Sequence, residues 1–238
     1  MCGRYDLIVK GQVLAARFGV TRERAGEVGQ SWQPGYNIAP SQLNPVVVTT
    51  ADQDKHLVRM KWGLVPGWAK EPKTSFSTIN ARAETITQKP AFRKLITGKR
   101  CLVPATGYYE WAITHRAGGK QPYRVQVTGP DKRDGSHEGQ IVAMAGLYDV
   151  WKGQDGDALL TYTIITTAAS PGLCQLHERM PVILSREDEE AWLDPGMMDT
   201  ERLLGLLRPY PDTLIGAYRV GRGVNSPGND RPELILAA

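Results

Sequence analysis

Long apolar runs are missing from this 238-residue chain. The amino terminus begins MCGRYD, and Lys10 and Arg17 interrupt the only apolar candidate segment, so neither a signal peptide nor a membrane span is expected there. Cysteine is scarce. Cys2, Cys101 and Cys174 are odd in number, lack CxxC spacing and have no His/Cys cluster beside them, which argues against a zinc site and points to a reducing cytosol. Internal repeats, low-complexity tracts and a highly charged, apolar-poor tail are also lacking, so the chain is expected to fold along its whole length. The charge surplus is only +4, compatible with a polyanionic partner without implying one; where the charges sit matters more than their sum.

What is present suits one sizeable core, a single compact α/β or β-rich domain over residues 1–238, with two domains as the alternative. Residues 7–20 space apolar side chains at helical intervals around Gly11, whereas 31–42, with two prolines and a glycine, read as an ordered loop. Strands are expected at 45–50, at 57–64, where apolar residues alternate with Arg59, Lys61 and Gly63, and at 101–111, 122–127, 141–151, 159–167 and 179–184. Loops are expected at 66–78 and, as an exposed hairpin or loop, at 128–140. Ser185 and Asp188 have capping-box spacing ahead of a short helix over 187–193, and a second helix is expected at 201–207.

Cysteine at position 2 is chemically distinctive. Methionine is commonly removed before small residues, which would leave an α-amine and a thiol on adjacent carbons. The amine, with a reference pKa of about 8, attacks aldehydes to give a Schiff base. The thiol then closes onto the imine as a five-membered thiazolidine, replacing the hydrolysable C=N bond that an ordinary lysine adduct keeps. The competing reading is a small residue near a chain end. Asn80, Glu110 and His177 are polar residues in otherwise apolar or structured surroundings, and each alone fits a cap, a solvated strand end or a structural histidine.

The combination is more specific. MCGRY, YNIAPSQ, MKWGLVPGW, NARAET, CLVPATGYYEW, HERMPVIL and VNSPGNDRPELI follow one another in order, and together they resemble the SOS-response-associated peptidase (SRAP) family from residue 2 to residue 235. The resemblance implies an α+β fold: a single β-rich domain with antiparallel or barrel-like sheets and a few peripheral helices. It implies protection of abasic sites in single-stranded DNA, with Cys2, Asn80, Glu110 and His177 converging on a cleft. Cys2 would form the crosslink to C1′ of the ring-opened sugar, and Asn80 would position it. Glu110 would shuttle protons, and His177 would support ring opening and imine formation; which of the two performs each transfer stays open.

Arg4, Arg82 and Arg179 stand in the same motifs, where they would grip phosphates without reading sequence. Trp68 and Pro40 resemble the apolar wedge that unstacks neighbouring bases. Trp62 reads as core, and Trp111 is balanced between core and DNA contact. Ser170 stands where an asparagine is expected for the family. No cofactor or metal is implied. The expected partner is single-stranded DNA containing abasic sites, not a membrane, met by a monomer in the cytoplasm, nucleoid-associated if the source is prokaryotic. Removal of Met1 by the chain's own peptidase activity would accompany the crosslinking. Two other readings compete: a non-covalent binding module for single-stranded or branched DNA, and an amidohydrolase acting through the Cys2 thiol, as in glutamine amidotransferases that also begin MCG.

Overall fold

β-Branched and aromatic residues concentrate between Leu43 and Ala168, and that stretch builds a closed barrel. The computed structural model describes residues 2–73, 78–113, 119–128, 141–153 and 155–238. In chain order the elements are β1 (Tyr5–Leu7), α1 (Gly11–Phe18), α2 (Arg22–Ser31), β2 (Gly35–Ile38), β3 (Leu43–Thr49), β4 (Lys55–Trp62) and β5 (Asn80–Arg82). There follow β6 (Arg100–Ala105), β7 (Gly107–Ile113), β8 (Lys120–Val127), β9 (Val142–Lys152), β10 (Ala158–Ala168), β11 (Arg179–Pro181) and β12 (Ile183–Leu184). The chain ends with α3 (Arg186–Leu193), α4 (Thr200–Gly205) and β13 (Ile215–Arg219), then short 3-10 turns at Arg222–Asn225 and Pro232–Ile235.

Pairing closes the barrel. β3 pairs with β4, β4 with β10, β10 with β9, β9 with β6, and β6 returns to β3, so these five strands have no free edge along the ring. β5 and β11 flank the far end of β10, and β12 extends β9. A second, five-stranded sheet runs in the order β13-β8-β7-β1-β2. The β-rich α+β class with barrel-like sheets is therefore the observed fold. Pairing is antiparallel except where β10 runs parallel to β4 and β5.

Several local expectations are corrected. Residues 7–20 are not one helix: β1 precedes α1, and Gly11 opens the helix rather than weakening its middle, because a Cβ there would meet Val28 O at 2.2 Å. The expected loop at 31–42 contains β2. The expected strand at 101–111 is two strands in different sheets, divided at Thr106, whose N–H and hydroxyl both turn to Asp6. The strand expected at 179–184 is likewise split into β11 and β12. Ser185 caps α3 as its spacing suggests, accepting from Asp188 N. Residues 74–77 of the first expected loop and 129–140 of the second lie outside the described residues. Among the described residues no helix is long and apolar enough to cross a membrane.

Two contacts lock the strand that follows Cys2. Fully buried Tyr5 meets Trp62 edge-on at 5.2 Å and shares a 2.8 Å hydroxyl hydrogen bond with Tyr162, so β1 is keyed into the barrel interior. Trp62, the expected core tryptophan, is itself buried and stacks on Tyr162. Each such aromatic removed from water contributes about 3 kcal/mol. One residue further on, buried Asp6 takes a bidentate pair from Arg124 of β8, both bonds at 2.8 Å, and accepts from Thr106 Oγ1 at 2.6 Å. Arg124 also donates to Gln126, to Tyr218 and to Thr106 O. Gly107 leaves room for it: a Cβ there would come within 2.9 Å of the guanidinium.

Candidate functional site

Strand register delivers the amino terminus to Glu110. β1 and β7 pair with Tyr5 opposite Tyr108, and Tyr109 N donates to Arg4 O at 2.9 Å; continued outward, this register sets Gly3 across from Glu110. From the other side β5 runs beside β10 with Asn80 opposite Ile164, and Asn80 Nδ2 donates to Cys2 O at 2.9 Å. The anchor is a buried side chain whose Oδ1 has no hydrogen-bond partner among the described residues.

Gly3, Arg4, Glu110, Trp111 and His177 line one open cavity of about 680 Å³, together with Gly119, Lys120, Arg222 and Asn225. Asn80 and Arg82 line a second, of about 340 Å³, with Thr78, Thr85, Lys89, Pro90, Ala91 and Phe92. Gly3 and Arg4 border the first, and Asn80, whose amide holds Cys2 O, borders the second, so residues bonded to buried Cys2 reach each cavity while Cys2 itself lines neither. Trp68 and Pro40 line neither cavity.

Each ionisable group is shifted for a physical reason. Burial pushes the Glu110 carboxyl up to about 7, with nearby Lys120 pulling the other way, so both protonation states are accessible near neutrality. Burial drives the Cys2 thiol above the ordinary range, and the Glu110 charge adds to the effect. His177 is lowered, again chiefly by loss of water. Its Nδ1 accepts from Arg179 N at 3.0 Å, so the neutral ring carries its proton on Nε2 and presents a donor. The site holds a protonated thiol, a carboxyl near its midpoint and a neutral imidazole.

The arginines differ in what they touch. Arg4 is buried: Nη1 donates to Asn37 Oδ1 at 2.7 Å and Val224 O at 2.8 Å, with the guanidinium 6.0 Å from the Trp111 ring centre. Arg179 grips Glu84 through both terminal nitrogens and donates to Thr166 O at 2.6 Å. Arg82 is exposed on the second cavity. Trp111 packs partly against the small cluster of Tyr109, Val220, Val224 and Leu234 and donates to Asn225 Oδ1 at 2.7 Å, so it serves as packing while lining the cavity. Pro40 is half-buried after β2. Ser170 is buried, and its hydroxyl has no hydrogen-bond partner among the described residues.

Trp68 is 70% exposed, yet its loop is pinned on both sides. Gly67 N donates to buried Asp149 at 2.7 Å, and Trp151 Nε1 donates to Ala69 O at 2.8 Å. Asp149 is itself held by Lys99, and a Cβ on Gly67 would meet Val150 O at 2.9 Å. An indole displayed on a fixed loop loses little entropy when something stacks on it.

The family model for SOS response associated peptidases (SRAP) matches residues 1–227. The chain belongs to that family. It is 39% identical over 236 residues to the abasic site processing protein YoqW of Bacillus subtilis, covering 99% of each chain. It is 35% identical over 265 residues to the abasic site processing protein HMCES of Gallus gallus, covering 99% of this chain and 77% of that one. A crystal structure of a protein from Bacteroides thetaiotaomicron superposes over the full length of both chains with a TM-score of 0.82 at 30% identity.

Within this SRAP chain, sequence motifs left several residues of the site unmarked. Lys120 and Arg222, outside the motifs, and Asn225, inside VNSPGNDRPELI, line the main cavity without having been singled out. Asn37, inside YNIAPSQ, ties Arg4 to the carboxy-terminal segment: its Nδ2 donates to Ser226 O at 2.9 Å and Asn229 O at 2.7 Å. The late position of VNSPGNDRPELI was the available signal that the chain's end returns to its beginning. Among the described residues no group of three or more His, Cys, Asp or Glu could hold a metal ion.

Proposed function

We propose that this SRAP-family chain binds single-stranded DNA at abasic sites and closes on them as a thiazolidine through Cys2 once Met1 has been removed. In this reading the whole chain acts as one domain and as a monomer in the cytoplasm. The observation that carries it is the placement of Cys2, held through its carbonyl by Asn80, where Gly3 and Arg4 open onto the cavity that contains Glu110 and His177. The names of the relatives support the choice of lesion.

The protonation states order the steps. A thiol kept protonated by burial is a weak nucleophile, so the Cys2 amine attacks C1′ of the open-chain aldehyde first. Glu110 as carboxylate takes a proton from the amine and, as acid, gives it to the departing hydroxyl, releasing one water and leaving the imine. The thiol sulfur then bonds to the imine carbon while its proton moves to nitrogen, directly or by way of Glu110. His177, donating from Nε2, stabilises the sugar oxygen freed on ring opening. The same buried thiol disfavours the amidohydrolase reading, which needs thiolate attack on an amide. Hydrolysis of the Met1–Cys2 bond at this site would expose the amine.

Denaturing gels after boiling in detergent test this reading. The wild-type chain retains an abasic oligonucleotide, and Cys2→Ser, which keeps the amine but cannot form a sulfur ring, gives at most an adduct that decays by hydrolysis. Complete release by the wild-type protein would leave the non-covalent module. For Trp68→Ala we expect binding of single-stranded oligonucleotide to weaken by about 5- to 150-fold, the worth of one base stack. The thermal midpoint should stay nearly constant, because the indole is exposed. Unchanged affinity by fluorescence anisotropy would remove Trp68 from the DNA surface.

A further inference from the structure

Lys120 and Arg222 come from elements a hundred residues apart, the first residue of β8 and the 3-10 turn Arg222–Asn225, and line the same cavity as Glu110 and His177. Both are exposed, and neither has an ion-pair partner among the described residues. The motif arginines nearby are already engaged, Arg4 with Asn37 and Val224 O, Arg179 with Glu84 and Thr166 O. Among the described residues that line the cavity, Glu110 is the one carboxylate, against three cations, Arg4, Lys120 and Arg222. The cavity is therefore electropositive where it opens to solvent.

The backbone carrying Arg222 is fixed. Val224 O accepts from Arg4, Gly223 O accepts from Asn229 Nδ2, and Asn225 accepts from Trp111. A cation on an anchored turn pays little to meet an anion. The second cavity, lined by the Asn80 that holds Cys2 O, has its own two cations, Arg82 and Lys89. A sugar inside a strand carries a phosphodiester on each side, and two cationic clefts, one lined by Gly3 next to Cys2 and the other by the Asn80 bonded to it, match that arrangement better than they match a free aldehyde.

We propose that Lys120 and Arg222 form a phosphate subsite of the Glu110–His177 cavity that holds one phosphodiester flanking the abasic sugar, while the Arg82 and Lys89 cleft holds the other. The pair sets the preference for a lesion within a strand over an isolated sugar. This inference rests on the crosslinking reading above.

The test compares the rate of covalent adduct formation on a single-stranded oligonucleotide bearing an internal abasic site with the rate on free 2-deoxyribose, which has the same aldehyde and no phosphate. For Lys120→Gln/Arg222→Gln, the ratio of the two rates should fall at least about tenfold at about 150 mM salt. The slope of log affinity against log salt should shrink by about 0.7, one single-strand phosphate contact. A charge-matched control, Lys10→Gln/Arg22→Gln, sits on exposed residues away from both cavities. The subsite is overturned if the Lys120/Arg222 variant keeps the wild-type ratio and slope, if the control lowers them equally, or if the variant loses both substrates in parallel. Should the wild-type chain form no adduct with either substrate, the crosslinking reading fails and the subsite with it.

Discussion

Glu110→Gln should slow adduct formation about 100-fold or more while making the folded protein more stable above neutral pH. The kinetic half follows from the loss of the group that carries protons from amine to hydroxyl, a contribution of roughly 10²–10⁴ for positioned acid–base catalysis. Ring closure and release should suffer more than binding, since Glu110 is asked for proton transfers and not for phosphate contact. The stability half follows from burial. The carboxyl's pKa is raised from 4.5 to about 7 in the folded chain, so the fold favours its neutral form. That contribution is full below about pH 4.5 and is lost as pH rises through about 7, because above it the folded chain must keep a buried charge that the unfolded chain solvates. Glutamine carries no such charge. Above pH 8 the variant should gain up to roughly 3 kcal/mol over wild type, a rise of several degrees in thermal midpoint, with no gain near pH 4. A Glu110→Gln protein that reacts at the wild-type rate would remove Glu110 from the mechanism; one destabilised equally at all pH values would contradict the burial argument.

The second large effect lies beneath the site. Asp6→Ala strands the Arg124 guanidinium, whose side chain is 3% exposed, and should cost about 3–5 kcal/mol in urea unfolding. Asp6→Leu/Arg124→Met should cost much less than the two single changes added together, since removing both charges leaves no orphan. Because Asp6 sits in β1, four residues from Cys2, the single variant should also react more slowly even where it remains folded. Additive losses in the double variant would mean that the pair is not coupled as its geometry implies.

How far the sequence disclosed this arrangement differs by element. Strands β3, β4, β9 and β10 were legible because long β-branched or alternating runs build the barrel. The division of 101–111 was not, because it depends on Asp6 capturing Thr106 across a hundred residues, a contact that local propensity cannot express. Helix α2 was missed since RERAGEVGQS buries only Ala25, Val28 and Gly29 and bends at Gly26, where φ is 50°. Asn80, Glu110 and His177 could be picked out only as members of ordered motifs. Their relation to Cys2 comes from β1–β7 register and β5–β10 pairing, neither of which is written in spacing. Lys120 and Arg222 were invisible for the opposite reason: exposed cations in turn-adjacent positions look like any solvated surface until two strands and a turn bring them to one cavity.

The most direct test of the central claim is the intact mass of the chain after incubation with an oligonucleotide carrying one abasic site, before and after borohydride. The account predicts a chain lacking Met1 that gains the oligonucleotide mass less one water, with no further gain on reduction, because a thiazolidine has no C=N bond to reduce. An adduct that takes up two hydrogens would be an open imine and would contradict ring closure, and a Met1-free chain with no adduct would contradict the covalent account altogether.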